Sequence, residues 1–193
     1  MRSSHRPLPF ILISSNHGTL IINKNDYRMV DQNRGYGVGF QLLKSSSFDQ
    51  REVDVVLTLL GRRGRHFGNG VVAVDCGANV GVHTVEWARS MSGWGEVFSF
   101  EPQEKIFYAL AGNVIINNCL NVTAKNCAVG SRCATLDIPE PNYLIPSSLG
   151  KIKKMLMGYG FKTYPMGLNL LAVHVSDPML KDIKFKNNSV RLG

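Results

Sequence analysis

One short segment contains the residues whose types and spacing could do chemistry. It reads Asp75-Cys76-Gly77-Ala78-Asn79-Val80-Gly81 and comes directly after the apolar residues 71–74. Glycines allow a sharp backbone turn and let a ligand lie against the main chain. A helix that begins at Val82 would present free N–H groups, which favour a carboxylate or a phosphate. Asp75 could accept a hydrogen bond from a ligand ammonium group.

A second acid comes 26 residues later, where Glu101 ends the next predicted strand. A carboxylate in that place can accept hydrogen bonds from both hydroxyls of a ribose, so the two acids and the glycine turn predict a nucleoside site. The dinucleotide pattern GxGxxG fails, because Asn79 and Val82 stand where it needs glycines. The pattern DxGxNxG fits S-adenosylmethionine instead, whose amino group would bind Asp75. The alternative interpretation is a plain glycine-rich turn with a surface glutamate.

Alternating strands and helices are predicted to position this segment. A continuous apolar, β-branched run is typical of a strand buried on both faces of a parallel sheet. The series predicts an α/β fold with a Rossmann-like, doubly wound, mostly parallel sheet. Its predicted elements are a strand at 71–74, a helix at 82–91, a strand at 97–100, a helix at 103–117 and a strand at 122–129.

The flanking regions are predicted to be a cap and a tail. Residues 1–66 would form an N-terminal cap, with two short strands or a hairpin in 17–29 around a turn at 23–26. A helix would come next at 47–60, begun by Ser47 with Gln50 in capping-box spacing and ended by Gly61 and Gly64. Residues 67–193 would form the main domain. Its tail, 151–193, would hold a short helix at 151–159, a strand at 168–175 and a stub at 183–185.

Composition and charge limit the classes of partner. The 193 residues have a net charge of +8, and 151–193 hold eight Lys and Arg against two Asp and Glu. A basic tail could bind phosphates or an anionic membrane surface. We favour a solvated end and consider nucleic acid an unlikely partner, because no stacking aromatics alternate with the lysines. The basic cluster at 62–66 could meet an anionic substrate, but a helix C-terminus is the better interpretation.

No apolar run is long enough to span a membrane, and the first residues make a poor secretory signal. The four cysteines form no CxxC pair, and with five scattered histidines they show no metal-site spacing. We therefore expect no metal, reduced and mostly buried thiols, and a cytoplasmic protein. The sequence leaves the oligomeric state open.

The segment 71–131 resembles the FkbM-type S-adenosylmethionine-dependent methyltransferases. The resemblance lies in AVDCGANVGVHTVEWA, VFSFEPQEKIFYALAGNVIINNCLNV and NCAVGS. It implies a methyl transfer from S-adenosyl-L-methionine to a hydroxyl of a small-molecule or glycan acceptor. The residues implied for the methionine part of the cofactor are Asp75, Gly77, Asn79 and Gly81. The resemblance further implies that Glu101 binds the ribose, and that Asn126 and Ala128 border the adenine.

Two questions stay open from the sequence. No catalytic residue is identified from the sequence. His83 could act as a general base, because the ordinary pKa of histidine is near neutral. The alternative interpretation of His83 is a polar residue of the first helical turn. Farther along, 182–188 is the nearest counterpart of a family strand that reads Ile-Lys-Ile-Asp-Val-Glu-Gly, with lysine and asparagines in place of its acids. This difference supports the alternative of a non-catalytic or truncated cofactor-binding module.

Overall fold

The computed structural model describes residues 9–29, 35–130, 157–166, 169–186 and 189–192. It begins with an antiparallel hairpin of β1 (Phe10–Ser15) and β2 (Gly18–Asn23), joined by the two-residue turn Asn16-His17. Of the two alternatives for 17–29, two short strands on either side of the turn are confirmed, and a hairpin around 23–26 is wrong. That segment leads instead into β3 (Arg28–Met29), which pairs with β4 (Gly35–Tyr36).

Two helices, α1 (Val38–Ser45) and α2 (Gln50–Phe67), come after the hairpins. Contrary to the prediction, α2 continues through Gly61 and Gly64 and ends at Phe67, with Gly68 as its C-cap. A Cβ on Gly64 would lie 2.9 Å from the Trp94 ring, so this glycine permits close packing of the helix on the ring. Ser47 is not the cap either, because the helix begins after Asp49 and no side chain caps it. The basic cluster at 62–66 lies in the last turns of α2, as the helix C-terminus interpretation predicts.

The predicted α/β series is present as a three-stranded parallel sheet. The strands pair in the order β5-β6-β7, with Val71 opposite Gly95 and Val97 opposite Val122. The third strand is shorter than predicted. The elements of this series are β5 (Val71–Cys76), α3 (Val82–Ser90), β6 (Gly95–Phe100), α4 (Glu104–Ile116) and β7 (Val122–Lys125).

Only one face of β5 is buried. Val71 and Ala73 pack with residues of α3 and α4 in the main core, whereas Val72 and Val74 on the other face are each 53% exposed. The prediction of a strand buried on both faces is therefore wrong. An unbroken apolar run reads the same whether one or two helical layers cover a strand, so the sequence pattern could not distinguish these cases.

The C-terminal region forms two further hairpins. One consists of β8 (Phe161–Met166) and β9 (Asn169–His174); the other consists of β10 (Ile183–Lys186) and β11 (Ser189–Leu192), preceded by a 3₁₀ helix (Pro178–Asp182). The strands predicted at 168–175 and 183–185 are thus present. Within the described ranges neither hairpin joins the parallel sheet, so the doubly wound expectation is not met there.

The remaining predictions about organisation have different outcomes. The helix predicted at 151–159 lies almost wholly outside the described residues. The proposed boundary after residue 66 stays a prediction, and α2 runs across it. None of the helices that the structure describes is long and apolar enough to cross a membrane.

Candidate functional site

The turn between β5 and α3 is built on left-handed backbone conformations. Gly77, Asn79 and Gly81 have φ values of +80°, +51° and +87°. A Cβ on Gly77 would meet no atom within 4 Å, so a ligand could approach the main chain there. A Cβ on Gly81 would lie 2.4 Å from Leu110 Cδ1. The absence of a Cβ on Gly81 therefore permits the close packing of the turn against α4, and the contact with a cofactor that the resemblance implies for it stays a prediction.

Asp75 lies at the carboxyl end of β5 and is only 8% exposed. Its carboxylate accepts a hydrogen bond of 2.6 Å from the Thr84 hydroxyl, which lies 2.8 Å from the hydroxyl of Ser99. Burial raises the pKa of Asp75. The hydrogen bonds from Thr84 and the electrostatic interaction with His83 oppose that rise. Asp75 thus joins the end of β5 to the first turn of α3.

Glu101 comes directly after β6 and is 4% exposed. Its Oε2 accepts a hydrogen bond of 2.9 Å from the Asn79 N–H, and its Oε1 accepts one of 2.9 Å from the Gln103 N–H. Both predicted acids therefore contact the glycine turn or the helix after it. Within the described ranges these are the side-chain hydrogen bonds of Glu101, so each of its oxygens has a lone pair that these bonds do not use.

A cavity of about 230 Å³ lies beside the turn. The predicted residues Asp75, Gly77 and Asn79 line it on one side, and the N-terminal segment supplies the opposite wall. Glu101 is absent from its lining, so the two acids meet at the turn without sharing this cavity. The full lining is Val38, Phe48, Asp49, Asp75, Gly77, Ala78, Asn79, Val82 and His83.

His83 lines this cavity from the first turn of α3. Its ring lies between Phe48, at a centroid distance of 5.6 Å, and Trp87, at 5.7 Å with an interplanar angle of 10°. Burial lowers the pKa of His83, and the charge of Asp75 opposes that shift. The imidazole is therefore neutral at neutral pH. Within the part of the chain that the structure describes, its buried Nε2 has no hydrogen-bond partner.

The two residues implied for the adenine lie at the end of β7, outside this cavity. Asn126 Nδ2 donates to the carbonyl oxygen of Glu101 at 2.8 Å and to that of Pro102 at 3.2 Å. It therefore joins the end of the third strand to the end of the second. Ala128 is exposed near it along the chain.

Asn113, which is fully buried on α4, is a structural residue of the site that was not predicted from the sequence. Its Nδ2 donates to the carbonyl oxygens of Val80 and Ile21 at 2.7 and 2.9 Å, and its Oδ1 accepts from the Ile21 N–H at 2.6 Å. Asn113 thus ties the glycine turn to the edge of β2. Its position three residues after Leu110, on the apolar stripe of α4, was the available signal. No sequence pattern pointed to Phe48 and Asp49.

A larger cavity of about 690 Å³ lies at the opposite, amino ends of β5 and β6, beside Trp94 and Glu96. Ligands of parallel α/β sheets bind at the carboxyl ends of the strands, so the smaller cavity is the better candidate site. Among the described residues no group of three or more His, Cys, Asp or Glu could hold a metal ion. Cys119 is buried, but Cys76 and Cys127 are exposed, which corrects the expectation of mostly buried thiols.

The likeness of this chain to known proteins is distant. No family model matches the chain, and no curated protein matches it in sequence. Among solved structures, an S-adenosylmethionine-dependent O-methyltransferase from Thermotoga maritima is similar over 90% of this chain and 91% of its own, at 14% identity and a TM-score of 0.45. A likeness of that size carries no argument about function, which has to be inferred from the residues of this chain.

Proposed function

We propose that this protein binds S-adenosyl-L-methionine at the carboxyl ends of β5 and β6 and transfers its methyl group to a hydroxyl of a small-molecule or glycan acceptor. The observation that carries the proposal is the pair of buried acids on one glycine turn. Asp75 contacts the first turn of α3, and Glu101 holds the Asn79 N–H at 2.9 Å. The resemblance of 71–131 to the FkbM-type enzymes supplies the identity of the nucleoside.

The residues present fit this cofactor in part. The open space beside Gly77 accepts a ligand against the main chain, and Asp75 lines the same cavity. The cavity volume of about 230 Å³ is below the roughly 300–1,000 Å³ of sites for whole drug-sized ligands. It therefore suits the amino-acid part of the cofactor, and the nucleoside would lie outside it, toward Glu101.

The chain's own residues would then bind and orient. Asp75 would accept a hydrogen bond from the cofactor's ammonium group, and Glu101 would accept ribose hydroxyls on the lone pairs that the Asn79 and Gln103 amides leave free. Asn126 and Ala128 would border the adenine. When bound, the cofactor supplies an activated methyl group on a sulfonium centre.

Methyl transfer to oxygen requires mainly that the protein positions the acceptor hydroxyl against the methyl group of the cofactor. It also requires one group that takes the hydroxyl proton. His83 is our candidate for that group. It lines the cavity and is neutral at neutral pH, since burial lowers its pKa.

Calorimetry with S-adenosylhomocysteine tests the binding half of the proposal. Asp75→Asn and Glu101→Gln keep the size of each side chain and should each weaken binding at least tenfold, the loss of one hydrogen bond to a charged group. Glu96→Gln changes an exposed carboxylate at the other end of β6 and should leave the affinity unchanged. Equal affinity in all four proteins, or no binding to wild type, would refute the proposal.

A second candidate is a cofactor-binding module without catalytic activity. The observation that favours it is the position of β10, the counterpart of the family's acidic strand, which pairs with β11, while no described strand pairs with the second edge of β5. Binding of S-adenosylhomocysteine without transfer of a labelled methyl group to any hydroxyl acceptor in a broad panel supports this candidate. Detected transfer refutes it.

A further inference from the structure

His17, in the turn between β1 and β2, is a fully buried histidine that the proposed function does not use. The turn lies among three other parts of the fold. Asn16 N–H donates to the Ser46 carbonyl oxygen at 2.8 Å, and Arg89 of α3 contacts the His17 carbonyl oxygen at 3.4 Å. Next to it, Gly18 approaches Asn117 at the end of α4 so closely that a Cβ would lie 2.3 Å from its Oδ1.

Both ring nitrogens of His17 have partners, and these partners determine its protonation state. The backbone N–H of Phe48 donates to Nε2 at 2.9 Å, so Nε2 carries a lone pair and no proton. Nδ1 lies 2.9 Å from Glu86 Oε1 and therefore carries the proton that it donates to this carboxylate. His17 is thus the neutral Nδ1–H tautomer in this arrangement.

These two bonds connect opposite sides of the candidate site. Phe48 and Asp49 form the cavity wall that the N-terminal segment supplies, and Glu86 lies on α3 one turn after His83. The Phe48 ring also contacts the His83 ring. The bond from Phe48 N–H to His17 therefore fixes the separation of this wall from the helix that carries His83.

We propose that His17 is a positioning residue for the candidate site, which holds the wall of Phe48 and Asp49 in place through the hydrogen bond that its Nε2 accepts from the Phe48 N–H. Without this bond the ring would keep only Glu86, and the wall would be free to move away from α3.

Two substitutions at His17 separate its two bonds. His17→Gln places an amide oxygen near the position of Nε2, so it can accept from Phe48 N–H. His17→Asn places its amide near the position of Nδ1, so it can contact Glu86 but leaves Phe48 N–H without a partner. A purely space-filling role would make the two variants alike.

The test is NMR on the full chain at neutral pH. Imidazole ¹⁵N shifts of wild type should report Nδ1–H, which leaves Nε2 as the acceptor of the Phe48 N–H. The hydrogen-exchange protection of the Phe48 amide in His17→Gln should equal that of wild type, and in His17→Asn it should be about tenfold lower, the loss of one hydrogen bond. An Nε2–H tautomer, or equal Phe48 protection in all three proteins, would overturn the proposal.

The consequence for ligand binding rests on the proposed function. S-adenosylhomocysteine should bind wild type and His17→Gln alike and His17→Asn about tenfold more weakly. If wild type binds none of it, the proposed function fails, while the NMR result still decides the role of His17. If all three proteins bind equally, the role of His17 fails and the proposed function stands.

Discussion

Asn113→Ala should lower the free energy of unfolding far more than the same change at a less buried asparagine of the same helix end, because Asn113 is fully buried. The substitution leaves three backbone groups without their partner: the Val80 carbonyl oxygen and both the N–H and the carbonyl oxygen of Ile21. At about 1 kcal/mol for each lost hydrogen bond the cost is about 3 kcal/mol, from which better helix propensity returns about 0.6 kcal/mol. We expect a net loss of about 2.4 kcal/mol, or roughly 5–10 °C in Tm for a chain of this size.

Asn117→Ala is the matched control. Asn117 lies one helical turn later and bonds the same strand, with its Nδ2 at 2.7 Å from the Thr19 carbonyl oxygen and its Oδ1 at 3.2 Å from the Thr19 N–H. These bonds are exposed, so water can replace them and the loss should be about 0.5 kcal/mol. Urea unfolding of both variants measures the difference. Equal losses, or a loss below about 1 kcal/mol in Asn113→Ala, would refute the reasoning from burial.

Glycine packing and the burial of Asp75 lead to three further expected outcomes. Gly61→Ala should raise the free energy of unfolding by about 0.5–1 kcal/mol, since the new Cβ meets no atom within 4 Å. Gly64→Ala should lower it and alter the Trp94 fluorescence, because its Cβ would lie 2.9 Å from that ring; a stabilised Gly64→Ala would contradict the helix–ring packing. Burial raises the pKa of Asp75 above its ordinary 3.8, so the folded wild type binds this proton more tightly than the unfolded chain does. The free energy of unfolding of wild type relative to Asp75→Asn should therefore fall as the pH rises from about 4 through the raised pKa. Urea unfolding at several pH values measures this difference, and the absence of such a trend would rule out this effect of burial.

The order and type of the elements around the glycine turn could be predicted, because local patterns determine them. Apolar runs of strand length alternated with helical stripes, and glycines stood where the backbone needs positive φ, as at Gly77. The ends of α2 could not be predicted in this way. Gly64 looks like a helix end in sequence, whereas in the structure it lies inside α2, at a place where a Cβ would meet the Trp94 ring.

The positions of the two acids could be predicted from the sequence, whereas the residues around them could not. Asp75 and Glu101 lie at strand ends, and parallel strands bring their carboxyl ends to one edge. The wall formed by Phe48 and Asp49 depends on contacts between segments far apart in the chain, such as the bond from Phe48 N–H to His17 over 31 positions. A single sequence does not encode such contacts in any local pattern.

The location of Asn113 shows a further limit. Its place on an apolar stripe predicts burial, but which backbone groups it bonds depends on how β2 and the glycine turn approach α4. The same holds for the exposed face of β5, where Val72 and Val74 are as apolar as the buried residues beside them. Both features come from tertiary packing, which the period of a pattern does not specify.

A crystal structure of the chain with S-adenosylhomocysteine tests the proposed cofactor site most directly. We expect the amino-acid part of the ligand in the cavity beside Gly77, with its ammonium group within hydrogen-bond distance of Asp75 and its ribose hydroxyls on Glu101. A ligand bound elsewhere, such as in the larger cavity beside Trp94, or one that contacts neither acid, would contradict the proposal.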